Sequence, residues 1–413
     1  MTEKPFLRIC LVSYRGNPHC GGQGVYVSQL ARALKGLGHS VHVLSGDPPP
    51  KLDQGIGLTV LSGLNLYSAD HIDKMAPWWR LKHPLNFYEW WTNSTLGYPE
   101  PLAFGVRAYH YLKRHGHRFD IIHDNQSLSW GILKISRLYP TVATIHHPMT
   151  RDRDIAVMST RSFVKRARVM RWYSFINMQK RVARKLPAIL TVSDASKRDI
   201  LSDYGVFSSR MHVIPVGIDT HRCHPVEGIE RDPNRIIVTN SADSPLKGLY
   251  YLMHAVAELR KKRPVRLRVI GSPRRGGVVE RLVAELSLEE VVEFTGRISD
   301  ERFAREYARA KVAVVPSLYE GFGLPVGEAM ACGVPVVCTD GGALPEVAGD
   351  AARIVPTGDS GALAEALQEM LDNEVLANRF AERGIRRVAE RFDWQLTARK
   401  SVGVYRGVIK EFR

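Results

Sequence analysis

The sequence predicts an α/β protein made of two Rossmann-like, doubly wound parallel-sheet domains, and three observations carry that expectation. Short apolar runs alternate with stretches whose apolar residues recur at helical spacing, as Val27, Leu30, Ala31 and Leu34 do after the strand "FLRICLVSY". The runs "FDIIHD", "TVATIHH" and "AILTVSD" continue the series, each ending in polar residues, as strands with ligand-facing carboxyl ends do. After a proline-broken passage, "VIPVGIDTHRCHPVEGIERDP", the series starts again with "RIIVTNS", "VRLRVIGS", "VVEFTG", "KVAVVPS" and "VPVVCTD". The expected division is an N-terminal domain over residues 1–210 and a C-terminal domain over 211–390. An amphipathic helix over 391–413 would close the chain, packing back on the N-terminal domain.

Taking the elements in order, Gly36 and Gly38 end the first helix before the strand "SVHVLSG". Residues 62–110 fit the pattern poorly: Trp78, Trp79, Phe87, Tyr88, Trp90 and Trp91 crowd a region of weak periodicity. Core padding around an insertion is the expectation there, with an aromatic surface for a sugar or lipid acceptor as the alternative. Between Arg151 and Lys185 eleven basic residues stand against two acidic ones. Val164, Ala167, Met170, Phe175, Met178 and Val182 put an apolar stripe on that basic stretch, which suits a domain core or a lipid interface, core being preferred.

At 413 residues the chain is too long for one ordinary core, and 44% apolar with 24% charged residues is a globular composition. No apolar run is long enough to span a bilayer, and "MTEKPFLRICLVSY" enters a strand almost at once, so a cytoplasmic protein is expected. Five cysteines without metal-ligand spacing fit reduced thiols. The net charge of +16 allows anionic lipid, a phosphorylated ligand or a solvated helix face. It brings no helix-turn-helix, RNP or zinc-ligand pattern with it, so nucleic acid is not an expected partner.

The densest chemistry lies in "SLYEGFGLPVGEAMACGVPVV", residues 317–337. A buried strand precedes it, Pro325 suits the first turn of a helix, and Gly333 ends that helix. Glu320 therefore falls in the loop before the helix and Glu328 about one turn inside it. The N–H groups of Phe322, Gly323 and Leu324 form a helix start that suits phosphate oxygens. A carboxylate on each side suits neighbouring hydroxyls. Phosphate flanked by two hydroxyl pairs is the outline of a nucleotide sugar. Each glutamate taken singly is as well explained by an ordinary helix start or a solvated face.

This segment resembles the two-glutamate motif, with seven residues between, of the retaining glycosyltransferases of family 4, the glycosyl transferases group 1 proteins. The resemblance covers nearly the whole chain and implies the GT-B fold, two Rossmann-like domains facing across a cleft. In "HCGGQGVYVSQ" the residues Gly21, Gly22 and Gln23 match the glycine pair that such proteins place against the donor phosphates. As a dinucleotide fingerprint the segment fails, because Val27 stands where a third glycine or alanine belongs. His146 of "VATIHHP" matches a histidine set beside the donor sugar and its phosphate, and Lys247-Gly248 matches the lysine that neutralises the leaving diphosphate. The arginine that usually precedes that lysine is missing, Ser241 and Ala242 standing in its place; either Arg274, Arg275 or Arg297 supplies the charge, or one cation and backbone dipoles hold the leaving group. Arg297 and Ile298 match the base-contacting turn, "VIPVGID" the interdomain segment and "DGGALPE" the loop beside base and ribose.

The resemblance implies transfer of a hexosyl unit from a nucleotide diphosphate sugar to an acceptor hydroxyl, on a sugar, a lipid-linked or a small molecule, with retention. Glu320 would hold the donor sugar hydroxyls and Glu328 the ribose, with no metal and no cofactor beyond the nucleotide sugar. Peripheral contact with the inner membrane face is compatible with the basic stretch. The alternatives are a sugar-nucleotide epimerase and a non-catalytic nucleotide-sugar-binding protein of the same fold.

Overall fold

Thirteen strands among the described residues build two all-parallel sheets in the structure, a computed structural model that describes residues 6–16, 22–66, 78–160, 162–240 and 244–412. The first unit comprises Met1–Val192, Ser196–Ile214 and Trp394–Arg413, and the second Ser193–Ala195 and Pro215–Asp393.

In the first unit the strands are β1 (Arg8–Ser13), β2 (Ser40–Ser45), β3 (Gly57–Val60), β4 (Ile121–Asn125), β5 (Thr141–Ile145), β6 (Ala188–Thr191) and β7 (Met211–Val213). Their order is β3-β2-β1-β4-β5-β6-β7. The central strands are buried on both faces, so β4 and β5 carry no exposed residue, even though β4 ends in His123, Asp124 and Asn125. The C-terminal helix Trp394–Phe412 packs on the helix Gly22–Gly36, with Tyr405 fully buried. In the second unit β8 (Asp232–Thr239), β9 (Arg266–Ile270), β10 (Val292–Phe294), β11 (Ala310–Val315), β12 (Val336–Thr339) and β13 (Ala352–Val355) pair in the order β10-β9-β8-β11-β12-β13. A core of Val, Leu and Met side chains lies between this sheet and the helices Leu249–Arg260 and Ser360–Asp372.

Three strands escaped the sequence reading: β3, β7 and β13. All lie at sheet edges, and β3 is only half-buried, so none shows a sustained apolar run.

Two expectations are overturned. Four of the six aromatic residues expected as core padding, Trp78, Trp79, Phe87 and Trp91, are exposed, and Tyr88 and Trp90 are only half-buried. The apolar stripe of the basic stretch is not one core face either. The helix Phe163–Trp172 buries none of its side chains, and Val164 and Met170 are exposed. A 3-10 turn at Tyr173–Phe175 then resets the phase, and only the next helix, Ile176–Ala183, turns Met178 and Val182 into the core.

Candidate active site

In each sheet all strands run parallel, so their carboxyl ends share one edge. The strand order reverses between β8 and β11 in the second unit and between β1 and β4 in the first. Open α/β sheets bind ligands at such a reversal, because the connections leave in opposite directions and open a crevice.

In the second unit the chain leaves β8 through Asn240 into a 3-10 turn, Pro245–Lys247, and Gly248 begins the helix Leu249–Arg260 with φ +63°. A Cβ at Gly248 would lie 1.8 Å from the Pro316 carbonyl oxygen, so only glycine lets this turn press against the end of β11. Leu318 N–H donates to the Leu246 carbonyl at 2.7 Å, and Asn240 Nδ2 donates to the Lys247 carbonyl at 3.0 Å. Lys247 and Glu320 are thereby brought together: Glu320 Oε1 accepts from Lys247 Nζ at 2.6 Å and from Ser317 Oγ at 2.8 Å. The Glu320 carbonyl accepts from Ala343 N–H at 2.9 Å, and a Cβ at Gly342 (φ +64°) would approach that oxygen to 2.3 Å. The glycines of "DGGALPE" thus let one loop clamp the other.

Gly323 caps the helix Leu324–Ala331 with φ +103°. Among the described residues none accepts a hydrogen bond from the N–H of Phe322, Gly323 or Leu324. The Phe322 ring is buried edge-on against Phe392 at 5.5 Å, so its backbone and not its side chain is what the turn can offer. Glu328 lies one turn into the helix. Its Oε1 accepts from Arg222 Nη1 at 2.8 Å, while Arg222 Nε lies 2.9 Å from Asp300 Oδ1 and the guanidinium sits 4.0 Å above the Phe303 ring. Burial raises the Glu328 carboxyl above its usual range and Arg222 opposes that shift. Arg297 and Ile298 follow β10 on the same sheet edge, with Arg297 exposed and Ile298 half-buried.

In the first unit Gly21 lies outside the described residues, as do Ser241 and Ala242 in the second. Gly22 is the first residue of its helix, and the Gln23 carbonyl accepts from Asn125 Nδ2 at 3.2 Å. That contact fixes Asn125 Nδ2 as a donor and leaves Oδ1 to face His146 Nε2 at 2.8 Å, so Nε2 carries the proton and Nδ1 a lone pair. Gln126 Oε1 accepts from His146 N–H at 2.8 Å, and the Tyr26 ring stands edge-on at 4.7 Å. Burial pushes the His146 imidazole down to about 3, with His147 and His123 adding to it. His146 is therefore a neutral hydrogen-bonding group in this state, its Nδ1 able to accept from a hydroxyl. His147 turns away to Asp152, Nε2 to Oδ2 at 2.6 Å.

A pH–rate profile is expected to show no acid limb between pH 5.5 and 7.5 that belongs to His146, because its pKa lies well below that window. A limb near 6.5 that disappears in His146→Gln contradicts this assignment.

Arg222, Ser317, Asn125 and Gln126 were not foreseen. The polar run "HDNQS" after an apolar strand was a usable signal for Asn125 and Gln126, since it ends the strand beside β1. Nothing marked Arg222, which meets Glu328 only across 106 positions of chain.

Residues 20–222 match the family model described as Glycosyltransferase Family 4, and residues 223–387 that described as Glycosyl transferases group 1. The chain is 45% identical over 408 residues to an MMP alpha-(1->4)-mannosyltransferase of Mycolicibacterium hassiacum, covering 98% of both. Sucrose-phosphate synthase from Thermosynechococcus elongatus has the same fold, with a TM-score of 0.75 at 23% identity over 98% of this chain and 100% of that one. HepE of Anabaena, solved in complex with UDP, shares it at a TM-score of 0.67 and 18% identity, over 96% and 99% of the two chains. Two Rossmann-like units, a lysine–glutamate pair at the strand-order reversal and these matches across almost the full length have one reading: the chain belongs to glycosyltransferase family 4, the glycosyl transferases group 1, and is a hexosyltransferase of GT-B fold.

Proposed function

We propose that the chain transfers a mannosyl unit from a nucleotide diphosphate sugar to an acceptor hydroxyl with retention of configuration. The observation that carries this reading is the Lys247–Glu320 pair, held at 2.6 Å beside three backbone N–H groups at a helix start. The mannosyl assignment follows the Mycolicibacterium relative. In this reading Glu320 holds donor hydroxyls, and Glu328, paired with Arg222, holds the ribose. Arg297 and the Ile298 backbone border the base. Gly21, Gly22 and Gln23 border the diphosphate, and Nδ1 of His146 accepts from a sugar hydroxyl.

The bond from C1 to the phosphate oxygen breaks and its electron pair stays with the diphosphate, where Lys247 and the amides of Phe322, Gly323 and Leu324 receive the charge. The acceptor oxygen bonds to C1 on the same face, and its proton goes to the departing phosphate oxygen. Glu320 is not assigned the covalent role of a glycosidase carboxylate, since Lys247 and Ser317 already occupy its Oε1. No metal is given a role.

The test is thermal shift and hydrolysis with UDP-, GDP- and ADP-linked sugars, for wild type, Glu320→Ala and Lys247→Ala, each with and without excess EDTA. One nucleotide sugar is expected to raise Tm and to be hydrolysed slowly by wild type alone, at the same rate in EDTA. Binding without any turnover, or conversion of the donor to an isomer, refutes the transferase reading.

A second reading, compatible with the first, is peripheral contact at the inner face of the cytoplasmic membrane. The helix Phe163–Trp172 supports it: all its side chains lie outside the core, and exposed Phe163 and Val164 accompany Lys165, Arg166, Arg168 and Arg171. Co-sedimentation with phosphatidylglycerol vesicles, lost when Phe163 and Val164 become serine, is the expected result. Equal sedimentation with phosphatidylcholine vesicles counts against it.

A further inference from the structure

The helix Pro84–Ser94 is inverted. Its buried side chains are Glu89 and Thr92, whereas of its four aromatic residues Phe87 and Trp91 are exposed and Tyr88 and Trp90 only half-buried. A helix laid on a core normally does the opposite, burying aromatic area and leaving carboxylates in water. The inversion is held in place from beneath. Arg107 Nη1 and Nη2 donate to Glu89 Oε1 and Oε2 at 2.8 and 2.9 Å, and Glu89 Oε2 also accepts from Leu64 N–H at 3.2 Å. Asn86 ties the same helix to both arginines around it: its Nδ2 donates to the Arg80 carbonyl at 2.8 Å, and its Oδ1 accepts from Arg107 Nη2 at 2.7 Å. A buried ion pair of this kind contributes little net stability, so the exposed rings are not the by-product of a better core.

The rings are also arranged. Phe87 and Trp91, one helical turn apart, lie nearly parallel, 16° between planes and 6.4 Å between centroids, with Trp90 at 5.9 Å from Phe87. Trp78 and Trp79, on the short helix just before, are exposed as well, and Lys82 Nζ lies 4.5 Å above the Trp78 ring. From Pro84 to Ser94 the only charged side chain is Glu89, which is turned inward, so the exposed face of the helix carries rings and no charge.

We infer that this face is a platform for a neutral oligosaccharide, the growing end of the acceptor chain, whose pyranose rings lay their C–H faces on Phe87 and Trp91. The inference rests on the glycosyl-transfer reading and names its acceptor class. The charge pattern selects the occupant. An anionic surface would be met by the basic helix Phe163–Trp172, while a helix face with flat rings and no cation fits a ligand that is uncharged, apolar on its ring faces and hydroxylated at its edges. The ring quadrupole, negative at the face, attracts the polarised C–H groups of a sugar, and stiff rings lose little entropy on binding. Position agrees. The corner after this helix places Tyr98 Oη 3.0 Å from Glu100 Oε2, and Glu100 Oε2 lies 2.7 Å from Arg15 Nε, two residues beyond the carboxyl end of β1. The loop that follows the platform is thus tied, through half-buried contacts, to the sheet edge where Gln23 and His146 stand.

The experiment compares wild type with Phe87→Ala/Trp91→Ala, using mannose and α-(1→4)-linked mannose oligomers of increasing length as probes. Binding is read from tryptophan fluorescence and calorimetry without donor, transfer is read with it, and phosphatidylglycerol vesicle binding is read in parallel. Both substituted residues are exposed, so the variant is expected to melt with wild type. The expected result is that wild type binds longer oligomers more tightly, that the variant loses about tenfold or more in affinity and KM for them, and that donor hydrolysis and vesicle binding do not change. Affinity independent of length in wild type, an unaltered KM in the variant, or loss of vesicle binding in its place overturns the platform. Oligomer binding by a wild-type protein that never transfers overturns the transferase reading and leaves the platform standing.

Discussion

Lys247→Ala is expected to lower the rate of donor cleavage by about a hundred- to a thousand-fold, the usual cost of removing one positioned group that stabilises transition-state charge. The reasoning is one of timing. In the proposed binding mode, the ground-state diphosphate is spread over several backbone amides, so losing one cation should change donor binding modestly. When the C1–O bond breaks, a full negative charge gathers on the leaving oxygen, and Lys247, 2.6 Å from Glu320 and only partly exposed, is a cation at the β8–β11 reversal. The loss therefore belongs in kcat more than in KM. Stability should hardly change, since Glu320 keeps its bond to Ser317 and a partly exposed ion pair is worth at most about 1 kcal/mol. Lys247→Arg keeps the charge but moves it, and should recover part of the rate. Hydrolysis and transfer measured on the same preparations decide the matter: a Lys247→Ala enzyme within tenfold of wild type, or one whose whole deficit lies in KM, removes Lys247 from the chemistry.

How much of this was legible follows from what each residue depends on. Glu320, Gly323, Pro325 and Glu328 announce a loop and a helix start because their requirements are local: a positive φ at Gly323, a missing N–H at Pro325. Lys247 was found through the resemblance of Lys247-Gly248 to the family's segment, and the purpose of that glycine, clearance from the Pro316 carbonyl, appears only in three dimensions. Arg222 was invisible because its partner is supplied by topology and nothing local asks for an arginine there. The helix Pro84–Ser94 was misjudged for a related reason. Aromatic density is an argument for burial only when the opposite face is polar and free to meet water, and here Glu89 is drawn inward by Arg107 from another helix. The edge strands β3, β7 and β13 failed on length and burial. Most internal strands fell out plainly, since a strand covered on both faces is mostly apolar, the polar end of β4 at His123–Asn125 being the exception.

Arg222→Ala should be the most destabilising single change at the site that removes no apolar packing, and its cost should depend on pH. Glu328 is inside the protein, and burial alone lifts its carboxyl above the usual range. Arg222 opposes that lift through a 2.8 Å bond and its own charge. Without Arg222 the carboxylate stays buried with no countercharge, a situation that costs about 3–5 kcal/mol when solvent is fully excluded, and about 2–3 kcal/mol here because the guanidinium side chain is 31% exposed. The sign with pH follows from linkage. A carboxyl whose folded pKa stands above its unfolded one binds more protons in the folded state, so the stability it supports is complete below the unfolded value and is lost as pH rises through the folded value. Removing Arg222 raises the folded value further and extends that loss. The gap between wild type and Arg222→Ala should therefore be small at pH 4.5 and widen steadily to pH 8. Arg222→Ala/Glu328→Gln, which removes the buried charge together with its partner, should regain most of the difference and flatten its pH dependence. Denaturant melts of the four proteins of this cycle at pH 4.5, 6 and 8 supply the comparison. A penalty independent of pH, or one left untouched by Glu328→Gln, means that Arg222 matters through its contact with the Phe303 ring and not through Glu328, and the ribose-binding role assigned to that carboxylate then loses its electrostatic basis.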